Sequence, residues 1–141
     1  MVTSIPRGLR NNNPGNIQKS STKYNGEIIP STDKTFKQFK SMDYGYRAMF
    51  KLLDFYQTHY NIMTIRGMIT RWAPPIENNT LSYINTVSAR SCIGEDIRIT
   101  TKNHDVMIPI VEAMSFHENG VPAVMEEVEA GWNLFMPNIF L

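Results

Sequence analysis

Arg10-Asn11-Asn12-Asn13-Pro14-Gly15-Asn16-Ile17 is the stretch on which the reading of this chain turns. Three asparagines, a proline and a glycine cannot run on as a helix interior. Pro14 lacks an N–H and fixes φ, Gly15 admits φ > 0, and the asparagine amides compete for backbone hydrogen bonds. The stretch is therefore a turn. Its amides put many donors and acceptors into a small volume, which suits a neutral, polyhydroxylated or acetamido ligand. An ordinary Asx-rich loop accounts for the same composition.

Around this turn, residues 1–22 read as loop, closing in Lys19-Ser20-Ser21-Thr22. Tyr24–Ile29 and Thr35–Phe39, separated by Pro30-Ser31-Thr32-Asp33-Lys34, read as a short antiparallel hairpin that needs helices to pack on. From Ser41 the pattern becomes helical. Tyr46, Met49, Phe50, Leu53, Phe55, Tyr56 and Tyr60 recur at three and four, predicting a helix over about 43–59. Thr64 caps Ile65–Trp72, which Ala73-Pro74-Pro75 ends. Further helices are expected over about 79–91, from Asn103 or Asp105 to about His117, and from Pro122 to about Ala130. Asn119-Gly120 and Gly131 are the stops of the last two. The tail, 132–141, is apolar and is expected to dock on the body or on a partner. The expected architecture is one mostly α (α+β) domain over 1–141, with about five helices and a small β-hairpin near its front.

Composition narrows the function. Fourteen Lys and Arg against thirteen Asp and Glu leave a formal charge of +1, so net charge makes no case for nucleic acid or a membrane surface. No apolar run reaches the roughly 18 residues of a membrane span. A single cysteine, Cys92, excludes an internal disulfide and a cysteine metal cluster. His59, His104 and His117 stand apart from one another, and no phosphate loop or nucleophile elbow is present, so neither a metal nor a cofactor is expected. Met1–Arg7 lacks the basic-then-apolar layout of a signal peptide.

Carboxylates carry what chemistry remains. Glu118, in Phe116-His117-Glu118-Asn119-Gly120, ends an apolar helix. The helix dipole and burial both disfavour its charged form, as a general acid requires; a solvated Glu beside a C-cap is the plain alternative. Glu77 precedes Asn78-Asn79-Thr80 at a helix N-terminus, where the dipole favours ionisation and a capping or electrostatic role. Glu27 and Asp33 lie on the hairpin, as a second carboxylate, a substrate contact or merely exposed groups. Trp72, Tyr24, Tyr46 and Tyr83 are candidates to line a groove, since flat rings pack on sugar faces while their polar tips bond hydroxyls; core packing is the alternative.

Taken together, Arg-Asn-Asn-Asn-Pro-Gly-Asn-Ile (10–17), Tyr-x-Gly (24–26), Phe-x-x-Phe (36–39), Tyr-Gly-Tyr-Arg-Ala (44–48), Arg-Trp-Ala-Pro-Pro-x-Glu-Asn (71–78) and His-Glu-Asn-Gly (117–120) resemble a family of bacteriophage and prophage proteins, minor virion proteins or lytic enzymes. The turn, the Tyr-x-Gly and the Phe-x-x-Phe resemble a segment of peptidoglycan glucosaminidases. Glu77 to Ile84 is similar to a run of lytic transglycosylases. Both groups are lysozyme-like, with a glutamate at a helix end as general acid. The resemblance implies a lysozyme-like domain that cleaves peptidoglycan glycan strands, with Glu118 as acid, Glu77 as the second candidate, and Asn13, Asn16, Tyr24, Glu27, Asp33, Trp72 and Tyr83 on the substrate.

In those families the acid precedes the Asn-rich segment. Here the nine residues before Arg10 hold no acidic side chain. A circular rearrangement is therefore expected, with the acid-bearing helix near the C-terminus. Synthesis in the host cytoplasm and action at the cell wall, or carriage in a virion, follow from the resemblance. So do two alternatives: a non-catalytic virion protein that binds glycan or a neighbouring virion protein, and an inhibitor or adaptor module.

Overall fold

The computed structural model describes residues 4–76 and 78–137. Within them the chain forms α1 (Arg7–Arg10), β1 (Glu27–Ile28), β2 (Gln38–Phe39), α2 (Met42–Tyr60), α3 (Ile65–Trp72), α4 (Thr80–Ser91), α5 (His104–Asn119) and α6 (Met125–Phe135). The domain is mostly helical with a small antiparallel sheet.

Helix α2 is the hub. Its stripe of Tyr46, Met49, Phe50 and Leu53 is fully buried, each side chain contributing about 1.5–3 kcal/mol of transfer free energy. Helix α6 lies along α2, and α4 lies along α5. Phe50 meets Trp132 edge-on at 5.1 Å and stacks on Phe135 at 5.9 Å, which clamps α6 to the hub. The boundaries follow the capping chemistry. The side chains of Thr64, Asn79 and Asn103 accept from the N–H groups of Gly67, Ser82 and Asp105. Gly120 closes α5 in the left-handed region at φ 74°.

Three expectations need correction. Residues 1–22 are not all loop: Arg7–Arg10 makes one helical turn behind Pro6, too short to show as a periodicity. The hairpin pairs over two residues a side, Glu27 with Phe39 and Ile28 with Gln38. The turn supplies the other edge, because Gln18 bridges Phe36 and the Lys37 N–H donates to the Ile17 carbonyl at 3.0 Å. Last, Gly131 does not end a helix at Ala130. A Cβ there would lie 2.6 Å from Tyr46 Cβ and 2.9 Å from the Arg47 nitrogen, so the glycine permits α6 to touch α2, and the helix continues to Phe135. The start of the expected tail, Trp132 to Phe135, is thus helix packed on the core, while Asn138–Leu141 lie outside the described residues.

The Asn-rich turn is also built differently from the sequence expectation. Its left-handed residues are Asn12 and Asn16, at φ 51° and 50°, asparagine being among the few side chains that tolerate this region. Gly15 serves close packing: a Cβ would sit 2.7 Å from Trp72 Cζ2 and 2.9 Å from Met49 Cγ.

Candidate active site

Helix α5 carries Glu118 in its last turn, and the turn at 11–17 lies against that end. The tether is Asn119, whose Nδ2 donates to the Pro14 carbonyl at 3.0 Å and to the Ser115 carbonyl at 2.9 Å. Glu118 is half-buried. Its Oε1 accepts from Asn16 Nδ2 at 2.8 Å and its Oε2 accepts from the Tyr83 hydroxyl at 2.8 Å. Burial pushes its pKa up, while the hydrogen bonds from Asn16 and Tyr83 pull it down, with a further contribution from the Trp72 indole; burial wins. Tyr83 is itself buried and stacks on His117 with centroids 3.9 Å apart. Desolvation and the adjacent carboxylate raise its pKa well above the usual phenol range, so it stays a neutral donor.

Glu118 opens onto a groove of about 1280 Å³, larger than the roughly 300–1,000 Å³ of sites for small ligands. Asn16, Tyr24 and Trp72 line it with Glu118, and so do Tyr56 and Tyr60 of α2. The Trp72 N–H donates to the Gly15 carbonyl at 3.1 Å, which fixes the indole between the turn and α3. Trp72 meets Tyr56 edge-on at 6.2 Å, extending the aromatic lining of the groove. Among the described residues Glu118 is the only acidic side chain lining the groove.

The other expected site residues lie elsewhere. Asn13 is fully buried. Its amide accepts from the Ile17 N–H and donates to the carbonyls of Ile17 and Lys37, all at 2.9 Å, so it braces the turn and offers nothing to a ligand. Glu27 is committed to the buried Lys37, 3.0 Å away, and to the Tyr24 N–H. Asp33 accepts from Arg7 twice at 2.7 Å, from Asn11, and from the N–H groups of Thr35 and Phe36; these bonds hold it well below the usual carboxylate range. Neither carboxylate lines the groove. Tyr46 belongs to the core, its hydroxyl paired with Ser115 at 2.9 Å. Glu77 lies outside the described residues.

Sequence reading missed Asn119, Tyr56 and Tyr60. In the sequence Asn119 reads only as a helix stop. The two tyrosines stood in the apolar stripe of α2 with nothing to separate core from groove. No group of three or more His, Cys, Asp or Glu side chains among the described residues is arranged to hold a metal ion. No helix among them is long and apolar enough to cross a membrane.

Fold and site together define a small helical domain in which, among the described residues, a single glutamate faces an aromatic groove. Over 135 residues the chain is 36% identical to Protein P5 of Pseudoalteromonas phage PM2, covering 93% of this chain and 82% of that protein. The chain belongs to the family of this phage protein. No family model matches it.

Proposed function

We propose that this protein cleaves the glycan strands of peptidoglycan, with Glu118 as the general acid. The observation that carries the reading is the half-buried Glu118 at a helix end, its pKa raised by burial, alone among the described carboxylates on a groove wide enough for a polymer. A protonated Glu118 would give its proton to the glycosidic oxygen as the bond to C1 breaks. Tyr83 and Asn16 hold the carboxyl in place and steady the carboxylate left behind.

With no second described carboxylate in the groove, the oxocarbenium-like centre would be met by the substrate's own acetamido group. The 6-hydroxyl of the same sugar would then attack C1 and return its proton to Glu118, leaving a 1,6-anhydro end. This favours lytic transglycosylase chemistry over hydrolysis. Glu77 remains the second candidate acid. A lysozyme-like ancestry with a circular rearrangement fits the juxtaposition of the α5 end with the Asn-rich turn. Membership in the family of a phage protein fits carriage in a virion or release at the host cell wall.

A zymogram on purified cell walls tests the reading: clearing is expected from the native chain and not from Glu118→Gln. Reducing-end analysis of the products then separates anhydro from hydrolysed ends. Full clearing by Glu118→Gln would sink the assignment. One observation favours a non-catalytic virion protein instead, namely that Glu118 is already hydrogen-bonded at both oxygens and so ties the turn to α4. That reading predicts no clearing by either protein and a loss of stability in Glu118→Ala.

A further inference from the structure

Arg71 lines the same groove from the last turn of α3, one residue before Trp72. Its guanidinium carbon lies 3.8 Å from the centre of the Tyr60 ring and 5.4 Å from that of Tyr56. Arg66, also on α3 and at the groove, is tied to Glu95 and Asp96. Arg71 has no such partner: among the described residues no carboxylate pairs with it. An arginine steadied on an aromatic face and lacking a counter-ion among the described residues presents its fork of donors to a carboxylate from outside. The aromatic wall leads to it, since Trp72 stands beside the turn that holds Glu118 and Tyr56 bridges Trp72 to Arg71.

We infer that Arg71, held on Tyr60, is an anion subsite that takes a carboxylate carried by the glycan. The inference rests on the glycan reading of the groove. In peptidoglycan such a carboxylate belongs either to the lactyl group of a muramoyl sugar or to its stem peptide. A polymer of N-acetylglucosamine alone has neither. The subsite would therefore let the groove prefer peptidoglycan to a neutral glycan of the same backbone.

The test uses the full chain with Glu118→Gln, so that probes are not consumed. Three probes are titrated calorimetrically: chitohexaose, peptidoglycan strands stripped of stem peptides so that each lactyl carboxylate is free, and strands that keep their peptides. At least one anionic strand is expected to bind about tenfold more tightly than chitohexaose. The ratio is expected to fall to about one on adding Arg71→Gln, and to be partly kept by Arg71→Lys, which retains charge without the flat fork. Tight binding of stripped strands assigns the lactyl carboxylate; tight binding of peptide-bearing strands alone assigns the stem peptide. Equal affinity for neutral and anionic strands overturns the subsite and leaves the glycan reading standing. So does a ratio that survives Arg71→Gln. No binding of any strand overturns both.

Discussion

Asn16 Nδ2 donates to Glu118 Oε1 at 2.8 Å across 102 residues of chain. Tyr83 completes the pair from α4. The protonation of Glu118 is thus set by burial, opposed by partners from distant parts of the sequence. Tyr83→Phe keeps the ring on His117 and removes only the hydroxyl. It leaves one oxygen of a half-buried carboxylate without its donor, at a cost of about 1–3 kcal/mol in denaturant unfolding. Because the lost bond favoured the ionised form, the pKa of Glu118 rises further. The basic limb of the pH–activity profile then moves to higher pH, and Asn16→Ala moves it the same way.

Glu118→Gln gives a stability test that needs no activity. Burial raises the folded-state pKa of Glu118 above its ordinary value of 4.5. A group of this kind contributes stability below its unfolded pKa and loses it as pH rises through the folded pKa. Gln does not ionise, and it matches both partners, accepting from Asn16 and donating to the Tyr83 oxygen. The melting temperature of the variant is therefore expected to gain on the native protein between pH 4 and pH 8, followed by thermal unfolding across that range. The opposite slope would mean that the bonds from Asn16 and Tyr83 outweigh burial.

Lys37 and Glu27 form a buried ion pair, with side chains 0% and 7% exposed. Lys37 also donates to the Thr22 carbonyl at 2.8 Å. Lys37→Met strands the Glu27 carboxylate in the interior and is expected to cost about 3–5 kcal/mol. The double substitution Lys37→Met with Glu27→Gln should recover much of that loss. Urea titration of the two single variants and the double measures the coupling.

Gly131 and Gly120 should both lose stability on substitution by alanine, for different reasons. At Gly131 the new Cβ meets Tyr46 Cβ at 2.6 Å and backbone of α2 at 2.9 and 3.0 Å, so α6 must shift, at about 1–3 kcal/mol or more. At Gly120 nothing lies within 4 Å, and only the φ of 74° resists, at about 1–2 kcal/mol. Circular dichroism melts should show reduced cooperativity for Gly131→Ala alone, because only that variant unseats the Trp132 clamp.

His104 is held by Glu129 at 2.7 Å and Asp105 at 2.8 Å, and these bonds raise its pKa above 6.5. The stabilisation is present below pH 6.5 and is lost as pH rises through the folded-state value. A proton-detected titration should find His104 above 6.5 and His117 below it, since burial lowers the latter. Glu129→Gln should bring His104 back towards 6.5.

Much of the helical frame was legible in local chemistry. The stripe from Tyr46 to Tyr60, the cap at Thr64, the helix start near Asn79, the cap at Asn103 or Asp105, and the Asn119-Gly120 stop each depend on residues within a few positions of one another. The same reading placed Glu118 at a helix end. It failed where a residue had two physical uses. Gly131 was read as a breaker, although its lack of a side chain serves a contact with α2. Gly15 was read as the left-handed residue of the turn, although Asn12 and Asn16 take that conformation and Gly15 admits Trp72. Asn13 was placed in the groove, yet its amide is spent on Ile17 and Lys37.

The sequence by itself determined the five longer helices, most of their ends, the polar turn and the candidate acid, because backbone preference and amphipathic period are local. Tertiary structure alone decided which groups surround Glu118. Asn16, Tyr83 and Trp72 reach it from three elements, and the pKa of a carboxylate depends on the water it loses and the donors it gains, neither of which leaves a mark in the chain order. The same holds for Glu27 and Asp33. Their types suited a second catalytic carboxylate, but Lys37 and Arg7 had already claimed them, and only packing brings those cations within bonding distance.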